Sequence, residues 1–134
     1  WLALVLLLDQ LPRMIFRDTP KAYAGDARAQ ALVAHGLKLH RDLALTPLQR
    51  TFIYLVLEHT EDLAAQDEAI RRFTALLDLL PATDREYFTS TLDYAKKHRV
   101  VIERFARFPH RNAVLGREST PKEVEFLKER GSRF

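Results

Sequence analysis

Cysteine is absent from the 134 residues of the chain. Its absence excludes a disulfide framework, a thiolate metal site and a cysteine nucleophile. A chain without cysteine suits a reducing compartment, so we expect a cytoplasmic protein. Glycine is also scarce, and no glycine-rich phosphate loop, GxSxG elbow or EF-hand loop occurs. The sequence therefore contains no recognised catalytic motif, and it leaves open whether the protein is an enzyme.

Long hydrophobic runs are absent as well. The only run near the start, LALVLLL at 2–8, is too short to span a bilayer, and Asp9 and Arg13 follow it. No basic segment precedes it, as a signal peptide would require. We therefore expect a buried core helix and no membrane association. Because the first residue is Trp1 and not Met, we also expect the chain to lack an N-terminal segment of the full protein.

The charge is modest, +3 in total, but it is unevenly distributed. Five acids and no base lie between Glu58 and Glu68, whereas six bases and one acid lie between Lys96 and Arg111. A basic cluster can attract nucleic acid or phosphate, although a solvated helix face explains most such runs. Aromatic residues do not alternate with the basic ones as base stacking would need. Nucleic acid is therefore the least favoured partner.

Helix-start signals indicate the fold. Capping boxes, in which Thr and a Gln or Glu three residues later exchange hydrogen bonds with the backbone, are predicted at Thr46, Thr83 and Thr120. The predicted helices are 1–11, 20–40, 47–58, 61–80, 84–107 and 121–130. No alternating strand pattern occurs. We predict one all-α domain over 1–134, built from antiparallel helix hairpins.

Two predicted helices are apolar nearly all round and should lie centrally: the first one, and the helix that contains FIYLVL (52–57). The first runs into Asp9, and the second runs into Glu58 and His59. A buried carboxylate without a partner costs several kcal/mol. We expect arginines to supply the partners, with Glu58, Arg13 and either Arg107 or Arg111 within salt-bridge distance of one another.

The long helix 84–107 places Tyr87, Tyr94 and His98 on one face by its periodicity, and we predict that this face is buried. The same phase places Lys96, Lys97 and Arg104 in solvent. The segment RFPHRN at 107–112 then sets arginines and an imidazole within one turn, on a loop from which Arg111 should reach solvent. Arginine forks match phosphate and carboxylate oxygens, and histidine adds a donor tunable near neutral pH. An anion site is one interpretation of this segment, and capping of loop backbone groups is the other.

Three stretches resemble one protein family. They are LDQLPR at 8–13, LEHTED at 57–62 and RFPHRNAVLGREST at 107–120, and they resemble the bacterial helical family known as domain of unknown function nine-two-four. The resemblance covers essentially the whole chain and implies an all-α fold similar to the right-handed superhelix of tetratricopeptide-like proteins. Leu11 and Met14 depart from the pattern, which has Phe and Asn there. The resemblance implies no activity.

Together these patterns predict a polar pocket, whose candidate residues are Asp9, Arg13, Glu58, His59, His98, Arg107, His110, Arg111 and Asn112. The favoured function is binding of a small anionic ligand, a phosphorylated or carboxylated metabolite. The alternative is a tetratricopeptide-like scaffold that binds a protein or peptide, with the same residues serving as structural ion pairs. We expect no metal site, since the histidines and glutamates lack tight spacing, and no cofactor.

Overall fold

A computed structural model describes residues 1–134 of the chain, and it is helical throughout, with no strand. This confirms the all-α prediction. The helices are α1 (Leu2–Leu8), α2 (Gln10–Ile15), α3 (Asp26–Lys38), α4 (Pro47–Glu58), α5 (Leu63–Asp78), α6 (Arg85–Phe105) and α7 (Pro121–Phe126). Short 3₁₀ turns span Pro20–Tyr23, Arg41–Ala44, Ala82–Asp84 and Pro109–Arg111. None of the helices is long and apolar enough to cross a membrane.

Two of the three predicted capping boxes form. The Thr46 and Thr120 hydroxyls each accept a hydrogen bond from the backbone three residues later, and Gln49 and Glu123 return it. The third box is wrong. Thr83 lies inside the 3₁₀ turn, where its hydroxyl donates to Asp84, and α6 begins at the following residue without a side-chain cap.

The N-terminal region is more broken than its apolar pattern predicts. The expected helix over 1–11 is interrupted at Asp9, and the segment from residue 20 begins as a 3₁₀ turn before α3 starts at Asp26. At this junction the backbone of Gly25 lies so close to α1 that a Cβ atom there would stand 2.2 Å from the Leu8 carbonyl oxygen. Arg13 bridges the same junction, because it contacts both the buried Asp9 and Asp26 at the start of α3.

The main core lies between α1, α3, α4, α5 and α6, with α4–α5 and α5–α6 packed as neighbours. Ile53 and Val56 of α4 are fully enclosed, as predicted. The first helix is only partly central, because Val5 is enclosed but Leu4 and Leu7 are 43% and 56% exposed. The prediction of a helix buried all round is therefore wrong for α1. The tetratricopeptide-like superhelix stays a prediction.

The phase of α6 is partly as predicted. His98 is buried, and Lys96, Lys97 and Arg104 face solvent. Tyr87 and Tyr94 are about half exposed, so their assignment to the buried face is wrong. A second, smaller core joins the C-terminal half of α6 to the segment after it and to α7, through Val101, Ile102, Phe108 and Phe126.

Candidate functional site

A cavity of 560 Å³ opens where the α1–α2 break, the end of α4, the middle of α6 and the turn at 109–111 meet. Its charged walls are Arg13, Arg17, Arg111, Arg133 and one acid, Asp18. Its remaining polar walls are Tyr23 and the three imidazoles of His59, His98 and His110. Ala22, Val114 and Phe134 complete the lining. These residues define the histidine–arginine cavity.

Asp9 does not line the cavity, but it is buried and bonds to His59, which does. Its carboxylate accepts hydrogen bonds from Gln10 Nε2 at 2.6 Å and from His59 Nδ1, which lies 2.9 and 3.0 Å from its two oxygens. Arg13 Nη1 lies 3.0 Å from the same group. Burial alone would raise the pKa of Asp9, but the hydrogen bond from His59, the charge of Arg13 and the hydrogen bond from Gln10 outweigh it and hold that pKa below its usual value. Asp9 is therefore a buried carboxylate that keeps its charge.

Two arginines are held rigidly at the cavity wall. Arg13 donates two parallel hydrogen bonds of 2.9 Å to Asp26. Arg111 donates to the His59 carbonyl at 3.1 Å, lies 3.7 Å from Asp26, and stacks its guanidinium against Tyr23 and Phe108. It is 6% exposed, so the expectation that a loop carries it into solvent is wrong. Stacking and pairing preorganise both cations, which lowers the entropic cost of binding an anion.

Glu58 does not reach the cavity, and no arginine contacts it. Its Oε1 atom lies 3.0 Å from His98 Nδ1, and its Oε2 atom is enclosed without a hydrogen-bond partner. Burial first, and the charge of Asp9 second, raise the pKa of Glu58 to about 8. The expected three-way contact of Glu58, Arg13 and an arginine of the RFPHRN segment is therefore wrong, and Glu58 is instead a neutral buried acid behind His98.

His98, on α6, and His110, in the turn at 109–111, both line the cavity. His98 Nδ1 lies 2.9 Å from the Tyr94 carbonyl oxygen, and burial lowers the pKa of His98 to about 3. Burial, helped by the charge of Arg111, lowers the pKa of His110 to about 4. Burial also lowers the pKa of His59, since it outweighs the hydrogen bond to Asp9. All three imidazoles are therefore neutral at physiological pH.

Two predicted site residues serve the fold instead. Arg107 pairs with buried Glu123 through contacts of 2.6 and 2.7 Å and also donates to the Glu118 carbonyl, so it fastens α7 and not the cavity. Asn112 is enclosed and donates to Ser119 Oγ at 3.0 Å. Arg107 and Asn112 thus stabilise the fold, although only Arg107 bonds to a loop backbone group, while His110 and Arg111 line the cavity.

Glu61 has a larger structural role than its sequence indicates. The next residue, Asp62, caps the start of α5, whereas Glu61 bonds to a distant part of the chain. Glu61 accepts the Phe108 backbone N–H at 2.7 Å and a bidentate fork from Arg117 at 2.6 and 2.9 Å. These bonds, spanning about 50 positions, hold the 107–117 segment against the end of α4.

Sequence reasoning missed four polar residues of the cavity, Arg17, Asp18, Tyr23 and Arg133, and its three apolar residues. Arg17 follows Arg13 by four positions, a spacing that could have associated the two. No local pattern distinguishes Arg133 from other exposed arginines. No group of three or more His, Asp or Glu side chains is arranged to hold a metal ion.

Comparisons with known proteins bear on the family. The family model described as bacterial protein of unknown function (DUF924) matches residues 1–131. A solved structure of a protein of unknown function from Agrobacterium tumefaciens is 40% identical, with a TM-score of 0.80 over 95% of this chain. The present chain spans 66% of that protein's length. No curated protein matches the present chain.

Proposed function

The chain belongs to the DUF924 family of bacterial proteins of unknown function, and we propose that its histidine–arginine cavity binds a small anionic ligand, a phosphorylated or carboxylated metabolite. The volume of 560 Å³ lies within the range of small-molecule sites, about 300–1,000 Å³. Four arginines face this volume against a single aspartate. The local charge therefore favours an anion.

The observation that carries the proposal is the state of Arg17 and Arg133. Both line the cavity, both are exposed, and neither is within salt-bridge distance of a carboxylate. Arg13 and Arg111, in contrast, already contact Asp26. We assign to Arg17 and Arg133 the direct hydrogen bonds to the anion. Arg13 and Arg111 provide positive charge at the cavity wall beside it.

A second candidate function, a protein- or peptide-binding scaffold, is favoured by one observation. The outer face of α1 and α2 leaves Leu4, Leu7, Met14 and Ile15 exposed, with Met14 at 72%. Large exposed apolar side chains that are concentrated in one region of a protein often mark an interaction site. A scaffold would not need unpaired arginines in a concave cavity, so anion binding remains the favoured function.

A thermal-shift screen with phosphorylated and carboxylated metabolites at constant ionic strength tests the proposal. An anion at about a hundred times its dissociation constant should add roughly 2.7 kcal/mol to the free energy of unfolding. Arg17→Ala and Arg133→Ala should melt like the wild type without ligand and lose most of the shift. Arg28→Ala is the matched control, because Arg28 is exposed on α3, outside the cavity.

Two outcomes contradict anion binding. The first is the absence of any shift across the screen. The second is a shift of equal size in wild type, Arg17→Ala and Arg133→Ala, which would place the anion elsewhere. Retention of a peptide or protein that depends on Leu7 and Met14 but not on the arginines would favour the scaffold.

A further inference from the structure

The three histidines of the cavity differ in which ring nitrogen is committed to the protein. Each is neutral, so each ring carries one N–H and one bare nitrogen that accepts a hydrogen bond. None of the three Nε2 atoms has a hydrogen-bond partner in the protein, and none is among the fully enclosed unpartnered atoms. The Nε2 edges are therefore the parts of these rings left open to the cavity.

His59 presents an acceptor to the cavity. Its Nδ1 atom lies 2.9 and 3.0 Å from the two oxygens of Asp9, and a charged carboxylate can only accept. The ring proton is thus on Nδ1, where Asp9 fixes the tautomer and the ring orientation. The Nε2 atom of His59 carries a lone pair.

His98 presents a second acceptor by the same reasoning. Its Nδ1 atom lies 2.9 Å from the Tyr94 carbonyl oxygen, which also can only accept, and 3.0 Å from Glu58 Oε1, which accepts as the unprotonated oxygen of the neutral acid. The proton is therefore on Nδ1, and Nε2 carries the lone pair. The ring is 6.4 Å from that of His59 between centroids, so the two acceptors lie in one part of the cavity.

His110 presents a donor. Its Nδ1 atom is enclosed and has no hydrogen-bond partner, and a buried N–H without an acceptor is rare in folded proteins. The ring proton is therefore on Nε2. Arg111 and Arg133 are among the cations that act on this histidine, so its N–H adds to the donors on the arginine side.

The cavity thus combines two different surfaces. Arg17, Arg133 and the His110 N–H are donors suited to an anionic group. The Nε2 lone pairs of His59 and His98 are acceptors, and they oppose an anion while they suit hydroxyl groups. We propose, resting on the anion site above, that the ligand is an anion that also carries hydroxyl groups: a small polyol or sugar bearing a phosphate or carboxylate.

Calorimetric titration with a matched pair of probes tests this inference. Glycerol 3-phosphate and n-propyl phosphate have the same charge and nearly the same size, and only the first carries hydroxyl groups. At constant ionic strength and pH 7.5, both should bind. Glycerol 3-phosphate should bind at least about tenfold more tightly, because the propyl chain of the other probe would cover the two Nε2 acceptors without donating a hydrogen bond to them.

The outcomes separate the two proposals. Equal affinities would overturn the hydroxyl inference and leave the anion site intact. If neither probe binds, the anion site fails for small phosphates and the hydroxyl inference falls with it. His110→Phe should weaken both probes alike, whereas His98→Phe should weaken glycerol 3-phosphate alone.

A spectroscopic measurement keeps the inference testable if His98→Phe does not fold. Long-range ¹H–¹⁵N correlation of the wild-type imidazoles at pH 7.5 distinguishes protonated from bare ring nitrogens. His59 and His98 should carry the proton on Nδ1, and His110 on Nε2, with the exposed His35 and His40 as internal references. A proton on Nε2 of His59 and His98 would overturn the inference.

Discussion

The substitution Glu58→Gln should make the protein more stable than the wild type at alkaline pH. It removes a carboxyl group that is protonated in the folded protein but ionised in the unfolded chain. Glu58 is 2% exposed, and its Oε2 atom has no hydrogen-bond partner. Burial and then the charge of Asp9 raise its pKa from 4.5 to about 8. Its neighbour His98 is neutral, so no cation offsets the cost of ionisation.

The sign follows from the number of protons bound in each state. Between pH 4.5 and 8 the folded protein holds a proton at Glu58 that the unfolded chain has released, so the free energy of unfolding falls as the pH rises through this window. At about 1.4 kcal/mol per pKa unit, the full effect is on the order of 5 kcal/mol. The three cavity histidines, whose pKa values are lowered by folding, reduce the free energy of unfolding as the pH falls below 6.5. They do so equally in the wild type and in Glu58→Gln, so the comparison cancels their effect.

Urea unfolding followed by circular dichroism at pH 5, 6.5 and 8 measures the effect. The difference in the free energy of unfolding, Glu58→Gln minus wild type, should increase by about 3–5 kcal/mol between pH 5 and pH 8. Glu118→Gln, at an exposed position, should show no such change. A Glu58→Gln difference that stays constant with pH would refute the reasoning, because it would mean that Glu58 is ionised in the folded protein.

Three other substitutions test the packing around the site and the core. Arg111→Ala should lower the free energy of unfolding, measured by urea titration, by about 2–3 kcal/mol. The hydrogen bond to the His59 carbonyl and the stacking on Tyr23 and Phe108 are lost. Unchanged stability would mean that these contacts do not contribute to the folded state. Gly25→Ala should cost about 1–3 kcal/mol, seen as a lower melting temperature, because its Cβ would collide with the Leu8 carbonyl; a wild-type melt would contradict that close approach. Tyr54→Phe should cost about 1–3 kcal/mol, because Asp42 would lose the hydroxyl that donates to it at 2.7 Å; the exposed Tyr87→Phe is its control in the same calorimetric scan.

Some of the candidate site could be predicted because its residues interrupt apolar patterns. Asp9, His59 and His98 each follow or break a run of core residues, and a buried polar group needs a partner wherever it lies. Arg13, His110 and Arg111 were identified by the arginine and histidine chemistry of their segments. These six residues line the cavity or, for Asp9, bond directly to its wall. Arg107 and Asn112 find their partners elsewhere in the fold, and Glu58 keeps its proton instead. Sequence spacing cannot distinguish such residues from those that line the cavity.

The sequence by itself determined the all-helical fold and the starts of some helices, but not the division of the N-terminal region. The capping boxes at Thr46 and Thr120 form because their donors and acceptors lie within four positions of one another, so local geometry is sufficient. Only the tertiary structure decided which side chains meet. Asp9 and His59 are 50 positions apart, and Glu61 and Arg117 are 56 apart. Such pairs depend on how whole helices pack. They also depend on the break between α1 and α2 at Asp9, where the backbone of Gly25 lies against the Leu8 carbonyl. Helical periodicity fixes only the face on which a residue lies, and it carries no information about the partner across the cavity.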